Sequence, residues 1–328
     1  MSDPYLPPPI DVAPEEFREV VMVQPPRRPY LIHILLFLLT FVFALIVGAR
    51  LQANFLATEP LFINDEKFFA VRYIVADPLR LLDGLPFAAS FLGILMAHEM
   101  GHFLFAVKHR VYATLPFFIP APTPVGTFGA FIQIKSRFRS LAALFDIGIA
   151  GPIAGFVVAV PLALAGLALS KPLPAGSNAV MNLGYPPIFH LLHSLQAGWG
   201  SSLEGVLLHP VAIAAWIGML ATALNLLPGG QLDGGHMVYA LRPQLHGKVT
   251  RLAMAILLPL SIFYWPGWLI WVVALWLTRR HPYVPEYPLL DVRRRSIALT
   301  GVLMFILSFT PAPFAGGGLW DVVKELLH

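Results

Sequence analysis

At 328 residues, with 57% hydrophobic and only 12% charged positions, the chain is too apolar for a soluble domain, in which roughly a quarter of residues are charged. Mean hydropathy is +0.71. The net charge of +4 and pI near 9.4 do not point to nucleic acid, because the basic residues cluster beside apolar runs as they do in membrane proteins. The absence of cysteine excludes disulfides, thiol nucleophiles and cysteine-ligated metal.

In chain order, residues 1–30 read as a proline-rich cytosolic arm. No apolar core with a cleavage site marks them as a signal peptide, and a short amphipathic helix over Glu15–Val23 is the minority reading. Apolar spans follow at about 31–52, 84–107, 142–169, 207–227, 249–264, 266–279 and 296–312. The fifth and sixth are short and separated by "YWPG", which suits a tight helical hairpin or one broken element. The expected fold is an all-α polytopic membrane protein with about six or seven transmembrane helices and a membrane-associated β-hairpin near the site. Residues 31–312 form one membrane domain with a catalytic core at about 84–242, and 313–328 form a tail. In that tail, "LWDVVKELLH" reads as a short amphipathic helix on the outer surface.

Lys and Arg set the orientation. Arg18, Arg27 and Arg28 precede the first span; Lys108, Arg110, Lys135, Arg137 and Arg139 follow the second; Arg242, Lys248 and Arg251 follow the fourth. Arg279, Arg280 and Arg293–Arg295 separate the sixth from the seventh, whereas 53–83 is rich in Asp and Glu and 170–206 is nearly uncharged. A cytosolic N-terminus and an outer C-terminus satisfy this alternation. The expected location is a bacterial cytoplasmic (inner) membrane, with the site one or two helical turns from the cytosolic end of the second span.

That site begins with "LMAHEMGH" at 95–102. His98 and His102 stand four residues apart, so on a helix they share one face and two imidazoles can hold one metal ion, with Glu99 beside it. In a soluble protein such a pair is often two histidines bonded to carbonyls. At membrane depth, three ionisable groups in five residues need a strong compensating interaction, and zinc supplies one. A catalytic zinc with two His ligands needs a third ligand and an open position. His109 falls beyond the span, at the interface; His190 and His193 lie in the outer loop, and His209 at the outer end of the fourth span. The remaining region is "NLLPGGQLDGGH", 225–236, at the cytosolic end of the fourth span. Asp233, between Leu232 and two glycines, can approach a metal without a bulky neighbour. His236 is the rival, its ordinary reading being a cap or a substrate contact.

"HEMGH" followed by "NLLPGGQLDGG", with "GTFGAFIQIKSRF" (126–138) and "GIAGPIAGF" (148–156) between them, resembles the site-2 protease family of intramembrane zinc metalloproteases. The likeness is greatest to the branch without an obvious PDZ insertion, which includes bacterial members and the plant chloroplast ethylene-dependent gravitropism-deficient proteins. It spans about Gly84 to Arg242. The resemblance implies one zinc on His98, His102 and Asp233, Glu99 as catalytic base, and a transmembrane protein as substrate. Asn225, at the end of an apolar span, has an amide able to donate to a developing oxyanion or to hold substrate backbone, and the family motif favours that over a simple helix end.

A helical peptide bond is shielded, so a substrate must unwind before it is cut. "VGTFGAFIQIK" reads as an extended hairpin rather than a span, and extended backbone in lipid must be paired or buried. Gly126, Gly129, Phe131, Ile132 and Gln133 are its expected substrate-binding positions, offering a strand edge to the unwound chain. "GPIAG" at 151–155 reads as close helix packing rather than chemistry, and Trp265, Trp268, Trp271 and Trp276 as interface anchors.

Two other readings compete. A zinc prenyl-protein endopeptidase also carries HExxH on a helix, but takes its third ligand from a distant glutamate. A non-proteolytic zinc protein, either a transporter or a substrate-binding pseudoprotease, would spread polar residues across several spans or lack part of the two motifs. The partners expected are a single-span or other transmembrane protein and membrane lipid, with no nucleic acid. A regulatory membrane partner is unspecified.

Overall fold

The computed structural model describes residues 30–59, 77–173, 183–285, 290–314, 317–321 and 324. The arm at 1–29, its candidate helix over Glu15–Val23 and much of the acidic and C-terminal segments lie outside them. The first helix, α1 (Tyr30–Ala57), precedes a 3-10 turn (Pro78–Gly84) that leads into α2 (Leu85–Lys108). Asp77 caps that turn by accepting from the Leu79 amide. Strands β1 (Phe117–Pro120) and β2 (Thr127–Phe131) then form an antiparallel hairpin, followed by α3 (Leu141–Ala168). A small outer pair, β3 (Lys171–Pro172) and β4 (Val206–Leu207), brackets α4 (Pro187–Ala197). The chain ends with α5 (Pro210–Asn225), α6 (Asp233–Leu241), α7 (Pro243–Phe263), α8 (Trp268–Leu277) and α9 (Val292–Ser308).

By length and composition, four described segments can cross a membrane: Tyr30–Ala57, Pro78–Lys108, Leu141–Ala168 and Pro243–Phe263. Shorter apolar helices stand where two more spans are expected, at Pro210–Asn225 and Trp268–Leu277. The ten residues of α8 rise only about 15 Å, half the roughly 30 Å hydrocarbon core, so the expected sixth span is a half-length helix turned back on α7. The fifth is longer than expected, because Pro243 starts α7 six residues before the expected 249. The hairpin reading of "YWPG" holds: α7 stops at Phe263 and α8 begins at Trp268.

The centre is α2, α3 and α5. Phe87, Phe91 and Ile94 of α2 pack with Ala163 and Leu167 of α3 and Ile213 and Met219 of α5. Large apolar side chains on the periphery stay exposed, among them Leu31 and Leu35 on α1, Leu252 and Ile256 on α7, and Val302 and Ile306 on α9. Exposed apolar faces of this extent suit lipid rather than water. The hairpin folds back into this assembly. At its turn Gly126 has φ +84° and lies against the α1 backbone at Ala44, halfway along that helix, where a Cβ would stand 2.8 Å from the Ala44 nitrogen. Only glycine suits both the backbone and the space.

Candidate metal centre

His98 and His102 lie on one face of α2, buried, with Nε2 atoms 3.2 Å apart. The helix continues to Lys108, which puts His102 about 9 Å and His98 about 15 Å from its end. His102 thus lies within the one or two turns expected, and His98 about one turn beyond it. Asp233 begins α6, and its Oδ2 lies 3.3 Å from each Nε2. Among the described residues this is the group able to hold a metal. The α6 start reaches it because Gly234 and Gly235 pack on the turn at 226–230, where a Cβ on either would collide with the carbonyls of Leu226 or Gly229.

The donor set fits zinc. Tetrahedral bonds of about 2.0–2.2 Å have edges of about 3.3–3.6 Å, close to the three observed separations. The His102 Nδ1–H donates to the Ile147 carbonyl at 2.7 Å, which leaves Nε2 as the lone-pair nitrogen aimed at the other donors. Gly151 makes room for that ring, since a Cβ there would run into the His102 imidazole. Close packing was the expectation for "GPIAG", and it holds: the surface packed is the ligand itself.

Asn225 ends α5, and its Nδ2 donates to His98 Nε2 at 3.2 Å. Its amide thus stands beside the three donors and not on a backbone carbonyl. His236 does not join them. Its Nδ1 donates to His281 Nε2 at 2.8 Å, while His281 Nδ1 donates to the Pro282 carbonyl at 2.7 Å. His281 also stacks on Tyr239, and burial lowers the pKa of its imidazole against the opposing bond to the Pro282 carbonyl. His209 caps α5, accepting from the Val211 amide.

Glu99 is buried at 7% exposure, next to His98 on α2. The hairpin reaches it. Gln133 donates its amide to Thr114 Oγ1 and Lys135 to the Tyr112 carbonyl, so both are turned toward the neighbouring segment. Ile132, one residue out of step, turns its amide to the opposite edge, where it meets the Glu99 carboxylate. That edge of β2 carries no strand among the described residues. Of the five expected hairpin positions, Gly126 shapes the turn, and Gly129 (φ +110°) donates its amide to Thr127 Oγ1. Phe131 pairs with Phe117, the Gln133 amide is used internally, and Ile132 alone meets Glu99.

Sequence reasoning missed one supporting network. Arg294 grips Asp146 with two bonds, Nε at 2.8 Å and an Nη at 2.7 Å, and His109 donates to the same carboxylate at 2.9 Å. His109 follows the last residue of α2 as its C-cap, so it links the end of that helix to Asp146. Asp146 immediately precedes Ile147, whose carbonyl holds His102. The network therefore fixes that carbonyl from α9 and from the end of α2.

Residues 86–263 match the sequence profile of peptidase family M50. The chain belongs to peptidase family M50. This is the site-2 protease type expected from HEMGH and the LDGG turn. It is 32% identical over 311 residues to "Probable zinc metalloprotease EGY1, chloroplastic" of Arabidopsis thaliana, covering 90% of this chain and 54% of that one. To the rice (Oryza sativa subsp. japonica) protein of the same name it is 32% identical, covering 90% and 52%. To "Probable zinc metalloprotease EGY2, chloroplastic" of Arabidopsis thaliana it is 32% identical over 255 residues, covering 74% and 44%. The chain spans about half the length of the curated relatives it matches. The match contains His98, Glu99, His102, Asn225 and Asp233.

Proposed function

We propose that this M50 chain is an intramembrane zinc metalloendopeptidase that hydrolyses a peptide bond in or near a transmembrane segment of a membrane-protein substrate. The observation that carries this reading is the closure of His98, His102 and Asp233 to within 3.2–3.3 Å, beside a buried carboxylate and on a helix long and apolar enough to cross a membrane. The names of the relatives, zinc metalloproteases, support the same chemistry. When bound, zinc lowers the pKa of a coordinated water toward about 7 and polarises the scissile carbonyl. Glu99 then takes a proton from the attacking water and delivers it to the leaving amine. The Asn225 amide is placed to hold substrate carbonyl oxygen as charge develops there. Burial of Glu99 and the imidazoles excludes bulk water from competing for these bonds. The decisive experiment is metal analysis of purified protein together with cleavage of a panel of single-span proteins. Cleavage that disappears on chelation and returns with zinc is expected. Cleavage by a preparation fully stripped of metal overturns the reading.

The free edge of β2 and of the extended residue Ile132 that follows it, beside Glu99, is, in this proposal, where the unwound substrate adds as a strand. Ile132→Pro removes the one hairpin amide that meets Glu99, and a large loss of cleavage is expected with zinc content and detergent stability kept. Gln133→Ala leaves the main chain intact and costs less. An Ile132→Pro protein that folds, holds zinc and cleaves normally makes the hairpin a scaffold and moves substrate holding to Asn225.

We also propose that the basic loops, and the metal centre with them, face the cytosol of a bacterial inner membrane; the relatives named above are called chloroplastic. Cysteines are readily introduced into this cysteine-free chain. Cysteines at the exposed positions Ser136 and Ser296 are expected to react from the cytosolic side and one at Ser202 from the outside. Ser177, on the same outer loop, lies outside the described residues. Reaction of Ser136→Cys from the outside reverses the orientation.

A further inference from the structure

Between α6 and α9 a groove with a cavity of about 480 Å³ extends to Gly234, the residue after Asp233. Its walls are apolar: Met237 and Val238 from α6, and Leu299, Val302 and Phe305 along α9. Two arginines complete the lining, Arg242 after the last turn of α6 and Arg295 in the first turn of α9. Both side chains are exposed, and among the described residues neither makes an ion pair. Their neighbour Arg294 is committed to Asp146 and Asp291 instead. From Arg295 to Phe305 the groove follows α9 for about 15 Å.

We infer that this groove binds an anionic phospholipid, with an acyl chain along α9 and the phosphate between Arg242 and Arg295. The occupant must be charged at one end and apolar for the rest, because the lining is. Two unpaired guanidiniums require that charge to be negative, and planar N–H forks suit phosphate oxygens. Charge argues against a substrate helix, whose apolar surface offers nothing negative to Arg242 and Arg295, whereas a lipid carries a phosphate at the head of its acyl chains. Because Gly234 also lines the groove, the bound lipid braces the turn that carries Asp233. The inference concerns a separate site and stands without the proteolytic reading.

The test is native mass spectrometry of the full chain in detergent, titrated with dioleoylphosphatidylglycerol or dioleoylphosphatidylcholine. These lipids share their acyl chains and differ in headgroup charge. Retention of the anionic lipid in preference to the zwitterionic one is expected. Arg242→Gln with Arg295→Gln should weaken it roughly 30-fold, the strength of two basic residues at an anionic surface. The corresponding pair of lysines should keep most of the binding, and Leu299→Trp, which fills the apolar part, should lower it with both arginines present. Melting temperature in detergent checks the fold of each variant. Equal retention of the two lipids by the wild type, or a loss below about threefold in the folded Gln pair, overturns the inference. If the Gln pair fails to fold, the wild-type lipid comparison and Leu299→Trp decide it.

Discussion

Glu99→Gln is expected to retain zinc at the wild-type level and to lose about 10²–10⁴-fold in cleavage rate, the range assigned to general acid–base catalysis by a positioned side chain. The substitution is nearly isosteric, and the amide oxygen can still accept from the Ile132 amide, so the hairpin keeps its place. No metal donor is touched: the three donor atoms belong to His98, His102 and Asp233. What the variant cannot do is take a proton. Zinc measured by atomic emission on the purified variant, with single-turnover cleavage beside the wild type, separates metal holding from chemistry. Near wild-type cleavage with zinc in place would move the base to another group. Loss of zinc together with activity would make Glu99 a structural support of the site.

The second large effect concerns the third donor. Asp233→Ala should abolish cleavage and weaken zinc binding by more than the roughly 10–100-fold seen when only a supporting partner of a ligand is removed. The carboxylate lies 3.3 Å from both imidazole nitrogens, and no other described acid completes the set. His236→Ala is the control. Its Nδ1 is engaged with His281, so the variant should leave zinc largely in place and lose only the brace between α6 and the segment after α8. A zinc titration with a competing chelator reads both proteins. If His236→Ala loses the metal and Asp233→Ala keeps it, the ligand set is His98, His102 and His236.

Much of this site was legible from residue types. The i, i+4 histidines needed only the helical repeat, and the structure pairs them as that repeat requires. Two glycines and a β-rich run indicated an extended hairpin within 125–135; the structure forms its second strand there and takes the first from Phe117–Pro120. Other features were not legible. The helix α6 was not among the expected elements: two glycines in its first turn depress helix propensity, and packing on the 226–230 turn overrides that local preference. The half-length α8 has the composition of a span, and only its stop at Leu277 shows that it does not cross alone. The grip of Arg294 on Asp146 joins residues 148 positions apart, and neither has a neighbour in sequence that suggests the other.

By itself the sequence determined that this is a membrane protein, that the HEMGH and LDGG motifs belong to one site, and that a zinc-type donor set was the reason for ionisable groups in an apolar helix. The first and third rest on composition, local periodicity and the cost of charge in lipid, all of which act along the chain; the second rests on the alternation of basic loops and on the family resemblance. Only the tertiary structure brought Asp233, and not His236, to both imidazoles, turned the His102 Nδ1 onto the Ile147 carbonyl, and set Ile132 beside Glu99. Each of these depends on a contact between α2 and a segment at least 30 residues away along the chain. Which atoms meet there is fixed by how α3, α5, α6 and the hairpin pack around α2, and no local preference encodes that.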